Sequence, residues 1–144
     1  MSVVLKWAAL GSVVFALFVR SAAAGLEPSE TAVKSEITAV IEAQLAAFRA
    51  GDFDKAYTYA AGAIREKFPL SDFKQMVSTG YPIIATSVKA EYGVCLDNGV
   101  EAAIFVHVEA RDGTSRDYQY GLVLERSGWR ITGVTEPEKR GERV

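Results

Sequence analysis

The spacing of apolar residues changes from a helical to a strand period near Ile83, and this change constrains the fold more than any other feature. Before Ile83, apolar residues recur about every 3.6 positions, which is typical of helices that bury one face. After it, apolar and polar residues alternate, which is typical of strands with one buried face. Helices followed by consecutive strands predict an α+β domain, and 144 residues suffice for one core.

The helical half of the chain divides at glycine and proline residues. The apolar spacing predicts three main helices, over residues 33–48, 53–60 and 72–79. Gly51 ends the first helix, Asp52 can cap the second, and Gly62 breaks the chain after it. A short turn is expected over residues 64–68, and Tyr81 and Pro82 are expected to lead out in an extended conformation.

The second half predicts a curved, four-stranded antiparallel meander with the helices packed on one face. The strands are expected at residues 86–96, 100–110, 116–125 and 129–135. The first turn is expected to place Leu96 opposite Val100, and the second to place Ala110 opposite Arg116. Alternation predicts an inner face made of Val88, Ala90, Tyr92, Val94 and Leu96, then Val100, Ala102, Ile104, Val106 and Val108, then Tyr118, Tyr120, Leu122 and Leu124, and finally Trp129 and Ile131.

Residues 1–24 have the pattern of a signal peptide. Lys6 precedes an apolar run from Trp7 to Val19, and Ala22 and Ala24 form a small-residue cleavage site. This pattern predicts a periplasmic or secreted protein with no stable membrane span after cleavage. Arg20 is unusual so close to the site, so an uncleaved membrane anchor is the alternative. The single domain is expected at residues 25–136, followed by a charged flexible tail at residues 137–144.

Composition excludes several classes of protein. The formal charge of −2 becomes −4 when Lys6 and Arg20 leave with the leader, which argues against nucleic acid as a partner. A single cysteine, Cys95, excludes an intramolecular disulfide and a multi-cysteine metal site, and it is expected to be inert. No cofactor is expected, because phosphate loops, nucleophile elbows and zinc-protease motifs are absent from the sequence.

Four short motifs in the helical half resemble the domain-of-unknown-function family 4864. They are Gln-Leu-Ala-Ala-Phe at 44–48, Asp-Lys-Ala-Tyr-Thr-Tyr-Ala at 54–60, Phe-Lys-Gln-Met-Val at 73–77 and Gly-Tyr-Pro at 80–82. The closing Gly-Trp-Arg-Ile-Thr-Gly-Val at 128–134 is similar to the last strand of the wider nuclear-transport-factor-2-like, cystatin-like superfamily. The resemblance implies a cone-shaped, helix-on-sheet fold with a pocket between the two layers. It implies no established activity.

Polar and aromatic side chains on the predicted inner faces are the candidate ligand-binding residues. Gln44 lies near the centre of the apolar stripe of the first helix, where its amide needs hydrogen-bond partners. The aromatic candidates form either solid core or a pocket for a small apolar or aromatic ligand; they are Tyr57, Tyr81, Tyr92, Tyr118, Tyr120 and Trp129.

The predicted outer face of the sheet carries His107, with Phe105 and Glu109 beside it on the same strand. The expected register places His107 opposite Gln119 and Glu109 opposite Asp117. A divalent cation site there is a minor alternative, because facing carboxylates repel each other, and no metal site is predicted. Phe105, together with Ala103 and Val123, suggests a surface for a homodimer.

These observations favour an exported, non-enzymatic module that binds a small molecule or a protein. The predicted inner strand face contains no Asp, Glu or His, so no catalytic residue is assigned. One alternative is an isomerase- or dehydratase-like enzyme that uses pocket tyrosines, as some enzymes of the cone-shaped fold do. The other is a homodimeric structural protein of the cell envelope.

Overall fold

A computed structural model describes residues 25–137, and within this range the chain forms five helices and five strands. The signal peptide expected at residues 1–24 and all but the first residue of the expected tail lie outside the described residues. In chain order the elements are β1 Glu27–Pro28, α1 Thr31–Arg49, α2 Phe53–Thr58, α3 Gly62–Lys67, α4 Leu70–Gly80, α5 Pro82–Ala85, β2 Ser87–Asp97, β3 Glu101–Ala110, β4 Ser115–Glu125 and β5 Gly128–Thr135. Helices packed against an open antiparallel sheet confirm the predicted α+β class. No helix of residues 25–137 is long and apolar enough to span a membrane.

The three main helices form where the apolar spacing predicts them, as α1, α2 and α4. The predicted cap of α2 is confirmed, since the Asp52 carboxylate accepts a hydrogen bond from the Lys55 backbone N–H at 3.0 Å. The short turn expected at 64–68 is a full helix, α3, which begins at Gly62 instead of breaking there. The Gly62 N–H donates to Glu125 Oε2 at 2.9 Å, so the last residue of β4 holds the start of this helix.

The extended exit expected after Tyr81 is wrong. Residues Pro82–Ala85 form the helical turn α5, closed by a hydrogen bond of 2.9 Å from the Ala85 N–H to the Tyr81 carbonyl. Proline at the first helical position costs no hydrogen bond, because its missing N–H would have no helical partner there. Pro82 therefore starts a helix, and only Tyr81 before it is non-helical.

The sheet has five strands instead of the predicted four, in the sequential order of a meander. The additional strand, β1, contains two residues, Glu27 and Pro28, which pair with Asp97 and Leu96. The Ser29 N–H extends this contact by donating to the Cys95 carbonyl at 2.9 Å. A two-residue strand is too short to show alternation, so apolar spacing does not reveal it.

Both predicted hairpin registers are wrong. Leu96 lies opposite Ala103 and not Val100, because the chain needs a longer turn before β3 begins. In the next hairpin, the Ala110 N–H donates to the Thr114 carbonyl at 2.7 Å, and Gly113 adopts a φ of 90° that favours glycine. This tighter turn shifts the pairing of β3 with β4 by two residues.

Two bulges in β2 change which of its side chains face the helices. Between Tyr92 and Cys95 the pairing skips a residue, so Cys95 is buried while Val94 is 60% exposed. A second irregularity near Ser87 leaves that serine buried and Val88 half exposed. The predicted inward positions of Val88, Val94 and Leu96 in this strand are therefore wrong. Val100 and Leu124 are exposed, so the predicted inner face is not buried at these two positions.

The core lies between the helices and the inner face of the sheet. Helix α1 contacts β2 and β5, and α5 contacts β3. Each large apolar side chain that is fully buried contributes about 1.5–3 kcal/mol to folding. The largest of them come from both layers and are Tyr118, Tyr120, Phe73, Ile37, Ile41, Leu45, Met76, Ile104, Leu122, Ile131, Val106 and Val108.

Candidate functional site

A small apolar cavity lies between the helices and the sheet, and it is the candidate ligand site. Its volume is about 20 Å³. This is close to the space that a water molecule occupies and far below the roughly 150 Å³ of a cavity that binds benzene. Its lining comes from α1, α4, α5, the inner sheet face and the two short connections after α2 and α4, namely Gln44, Phe48, Ala60, Phe73, Val77, Tyr81, Ile84, Tyr120, Ile131 and Val134.

Gln44 is buried in the wall that α1 contributes, with 5% of its surface exposed. Its Nε2 donates a hydrogen bond of 3.1 Å to the Ala56 carbonyl on α2. This hydrogen bond gives Gln44 a structural role, because a buried amide without a partner would cost folding free energy. Gln44 also lines the cavity.

Tyr120 on β4 is fully buried, and its hydroxyl has no hydrogen-bond partner within residues 25–137. Burial raises the pKa of this phenol far above its usual value, and the neighbouring Tyr118 and Tyr81 raise it further. The hydroxyl is therefore neutral and can both donate and accept a hydrogen bond. An unpartnered buried hydroxyl costs about 1–3 kcal/mol of folding free energy.

Tyr81 forms part of the opposite wall, at the junction of α4 and α5. Its hydroxyl donates to the Val134 carbonyl at 3.2 Å, and its ring centroid lies 6.4 Å from that of Tyr118. Tyr81 thus links the helical layer to the end of β5, and its hydroxyl is already engaged. Tyr120 differs from Tyr81 in this respect, although both side chains line the same cavity.

The other four predicted ligand residues do not line the cavity. The Tyr57 hydroxyl lies 2.6 Å from the Phe68 carbonyl and 2.9 Å from that of Arg65, so it fastens α2 to α3. The Tyr92 hydroxyl donates to Glu42 Oε1 at 2.8 Å, and burial raises its pKa above the usual value. Tyr118 and Trp129 are buried in the core, and burial raises the pKa of Tyr118 to about 12.

Most of the cavity wall was not among the candidate residues. Phe48, Phe73, Val77, Ile84 and Val134 are apolar, and their spacing predicts burial without distinguishing solid core from cavity. The cavity-lining residues differ from other core residues only in lying around Gln44 and Tyr120 in the folded domain. This arrangement brings α4 and α5 near β5, which is distant from them in sequence, so no sequence pattern marks these residues.

A second, larger depression lies on the outer face of the sheet, with a volume of about 480 Å³. We call it the outer groove; its lining residues are Glu91, Tyr92, Gly93, Phe105, Val106, His107, Asp117 and Pro137. His107 lies opposite Asp117 and not Gln119, and its Nδ1 is 2.7 Å from Asp117 Oδ1. Likewise Glu109 lies opposite Ser115 and not Asp117. In the described part of the chain, no three or more His, Cys, Asp or Glu side chains are grouped so that they could hold a metal ion.

Comparison with known proteins bears on the family of the chain. The family model for a domain of unknown function, DUF4864, matches residues 30–144, which is most of the chain. The chain belongs to the DUF4864 family. No curated protein matches this DUF4864 chain. A crystal structure from Kribbella flavida DSM 17836, described as that of a known function protein, is similar to it with a TM-score of 0.43 and 17% identity, over 71% of this chain and 85% of the other.

Acid–base chemistry in the DUF4864 cavity would need a titratable group beside the reacting atoms. Among residues 25–137, no carboxylate or imidazole lines this cavity. Glu42 on α1 accepts the hydrogen bond of Tyr92, and it also pairs with Arg49 at 3.5 Å. Glu42 does not line the cavity. The cavity therefore offers a ligand hydrogen bonds and apolar contacts, without a carboxylate.

Cys95 of the DUF4864 domain is a buried thiol under the short strand β1. The Ser29 hydroxyl donates to its Sγ at 3.3 Å. Burial raises the pKa of the thiol, and the hydrogen bond from Ser29 lowers it by a smaller amount. A raised pKa reduces the fraction of reactive thiolate at neutral pH.

Proposed function

We propose that this DUF4864 domain is a non-enzymatic binding module that holds a small neutral molecule between Gln44 and Tyr120. The observation that carries the proposal concerns Tyr120: this residue lines the apolar cavity, and its hydroxyl is buried without a partner in the described residues. A ligand that accepts or donates one hydrogen bond there offsets the cost of burying this group. A buried polar group without a partner is more common at a binding site than in a core that has no function in binding.

The lining determines the chemical class of the ligand. Seven of the ten lining residues have no polar side-chain atom, the other three are Gln44, Tyr81 and Tyr120, and none of the ten is charged. A charged ligand would lose its hydration without gaining an opposite charge, so the ligand is neutral. It has an apolar body and one hydrogen-bonding group, which is the usual division between contact area and orientation in small-molecule sites.

Binding of anything larger than a few atoms requires the cavity to widen. One wall of the cavity is formed by α4 and α5: Phe73 and Val77 lie on α4, Ile84 lies on α5, and Tyr81 lies between the two helices. A small outward displacement of these two helices enlarges the cavity while the sheet and α1 keep their positions. The proposed ligand therefore selects a more open arrangement of α4 and α5.

The proposal extends to the cell compartment and to the fold superfamily. Residues 1–24 direct export, and the domain acts in the periplasm or outside the cell; the support for this is the leader pattern and a core that needs no disulfide.

The domain is a cone of the nuclear-transport-factor-2-like type. Its support is the antiparallel meander under helices and the bulges of β2, because bulges bend strands.

Binding of phenol and toluene tests the proposed ligand class, because the two probes differ chiefly in one hydrogen-bonding group. We expect the natural domain to prefer phenol by about tenfold, equivalent to about 1.4 kcal/mol. Tyr120→Phe is expected to remove this preference while toluene binding persists. Titrations followed by backbone amide resonances of α4 and α5 give both dissociation constants. Failure of both probes to bind, or an unchanged preference in Tyr120→Phe, contradicts the proposal.

Stability measurements separate Tyr120 from its neighbour Tyr81. Tyr120→Phe is expected to raise the free energy of unfolding by about 1 kcal/mol, because it removes an unpaired buried hydroxyl. Tyr81→Phe is expected to lower it by about 1 kcal/mol, because the Val134 carbonyl loses its donor. Urea denaturation of both variants checks the two signs. A destabilised Tyr120→Phe would mean that the hydroxyl is paired in solution.

A further inference from the structure

The orientation of the Gln44 side-chain amide is fixed by its neighbour on α2. The Ala56 carbonyl only accepts hydrogen bonds, so the amide nitrogen Nε2 must be the atom that approaches it, at 3.1 Å. Within residues 25–137, the Gln44 side chain forms this hydrogen bond and no other. The amide oxygen Oε1 is therefore left as an acceptor, on a residue that lines the cavity.

Tyr120 supplies a second polar atom for a ligand in the same cavity wall. Its buried hydroxyl has no partner within residues 25–137, and burial raises the pKa of the phenol so far that it stays neutral. The third polar residue of the wall, Tyr81, already donates its hydroxyl hydrogen to the Val134 carbonyl. The wall thus combines an amide oxygen that only accepts with a hydroxyl that donates.

A ligand hydroxyl matches these two atoms better than other neutral groups do. Its oxygen donates one hydrogen bond and accepts others, so it can donate to Gln44 Oε1 while it accepts from Tyr120. A carbonyl, ether or nitrile group only accepts, and it leaves Gln44 Oε1 without a donor, which costs binding free energy. An alkyl amine is a cation at neutral pH, and the wall has no carboxylate to pair with it.

The apolar part of the wall favours a flat ring. The rings of Phe48 and Phe73 both line the cavity, with 24° between their planes and 6.1 Å between their centroids. Aromatic ligands pack well against such rings through offset or edge contacts. A flat ring that carries a hydroxyl is a phenol.

We propose that Gln44 and Tyr120 together select small neutral phenols, whose hydroxyl donates to Gln44 Oε1 and accepts from the Tyr120 hydroxyl. This inference rests on the proposed function of the cavity, and it narrows the ligand from any neutral molecule with one polar group to a hydroxyl compound. Gln44 then determines specificity in addition to holding α1 against α2. Phenolates are excluded, because their charge would be buried without a partner.

Replacement of Gln44 by methionine tests its role toward the ligand, because methionine has a similar length and no amide oxygen. We expect Gln44→Met to weaken phenol binding by about tenfold, since a buried hydroxyl that keeps one of its two hydrogen bonds gains little over its hydration in water. Toluene has no hydroxyl, so its affinity should stay within about twofold. Titrations followed by the backbone amide resonances of α4 and α5 give the dissociation constants.

Two comparisons control this experiment. Each probe is compared with itself in the natural protein, so the difference in hydration between phenol and toluene cancels. Gln75→Met makes the same substitution at an exposed position of α4, and it is expected to change the affinity of neither probe.

A second measurement needs only the natural protein, so it applies even if Gln44→Met does not fold. The isomers 3-fluorophenol and 4-fluorophenol have the same size, but the first is more acidic and donates the stronger hydrogen bond. We expect 3-fluorophenol to bind about twofold more tightly, after division by the ratio measured for the two matching fluorotoluenes. A hydroxyl that only accepted from Tyr120 would give the opposite order.

The possible results separate this inference from the proposed function. An unchanged phenol affinity in Gln44→Met, an equal loss for phenol and toluene, or tighter binding of 4-fluorophenol overturns the selection of phenols by Gln44. The binding function of the cavity then stands on the Tyr120→Phe result. Failure of phenol and toluene to bind the natural protein contradicts the binding function itself and the inference with it.

Discussion

Replacement of Phe73 by alanine is expected to lower the free energy of unfolding by about 3–5 kcal/mol. Phe73 is 1% exposed, and its ring lies 5.2 Å from that of Tyr57 and 6.1 Å from that of Phe48, measured between centroids. Its removal deletes these contacts and leaves a void next to the existing cavity. Urea denaturation followed by far-UV circular dichroism measures the loss.

The same variant is expected to gain affinity for small aromatic molecules. Without the Phe73 ring, the cavity approaches the roughly 150 Å³ that holds benzene in an engineered core. Phenol should therefore recover part of the lost stability of Phe73→Ala, since binding to the folded state alone stabilises it. Tyr120 lines this cavity and its hydroxyl has no partner within residues 25–137, so phenol should recover more stability than toluene does.

Phe53→Ala is the matched control for Phe73→Ala. The Phe53 ring also contacts Phe48, at 5.5 Å between centroids, but it is only partly buried at the start of α2. Removal of the Phe53 ring should lower the free energy of unfolding by less than Phe73→Ala does. Phenol should recover none of this loss, because the space left by the ring is open to solvent. Equal losses of stability in the two variants, or equal recovery of stability by phenol, would contradict the prediction that removal of Phe73 enlarges the buried cavity.

An aspartate at position 95 is expected to lower the free energy of unfolding by about 3–5 kcal/mol, the usual cost of a buried charge without a partner. The Cys95 side chain is 6% exposed, faces the core beyond the β2 bulge, and has Asp97 as a like-charged neighbour. An aspartate one residue earlier, at position 94, is expected to change the free energy of unfolding by less than about 0.5 kcal/mol, because Val94 is 60% exposed.

These two adjacent substitutions measure the bulge directly, since regular alternation from Tyr92 would bury Val94 and expose Cys95. Thermal and urea unfolding of both variants provide the comparison. Cys95→Ser is the control for loss of the thiol alone, and it should cost much less than Cys95→Asp. A larger loss for Val94→Asp than for Cys95→Asp would place the strand in the regular register.

Several parts of the fold could be predicted because they depend on local patterns. The apolar spacing of α1 and the change of period near Ile83 indicate which faces are buried. The helical layer and the sheet layer were therefore both predictable from the sequence. The Asp52 cap follows from a carboxylate at a helix start. Gln44 was recognisable as a site candidate because a polar residue in an apolar stripe needs a partner.

The hairpin registers could not be predicted with the same success. His107 pairs with Asp117 because Gly113 permits a tight turn, while the residues around it also suit the longer turn that was expected. Similarly, a Tyr-Gly-Val-Cys segment alternates acceptably with or without a bulge. The choice between these registers depends on how β2 meets β1 and β3, which are separated from it by turns.

The sequence by itself determined the family, the order of helices and strands, and the side of most elements that is buried, because burial of apolar surface leaves a periodic record in the chain. The tertiary structure alone decided which polar groups find partners. Tyr81 and Tyr120 look equivalent in sequence, yet one hydroxyl meets the Val134 carbonyl and the other meets none in residues 25–137. Hydrogen bonds require atoms within about 3 Å, a precision that only the packing of distant segments establishes.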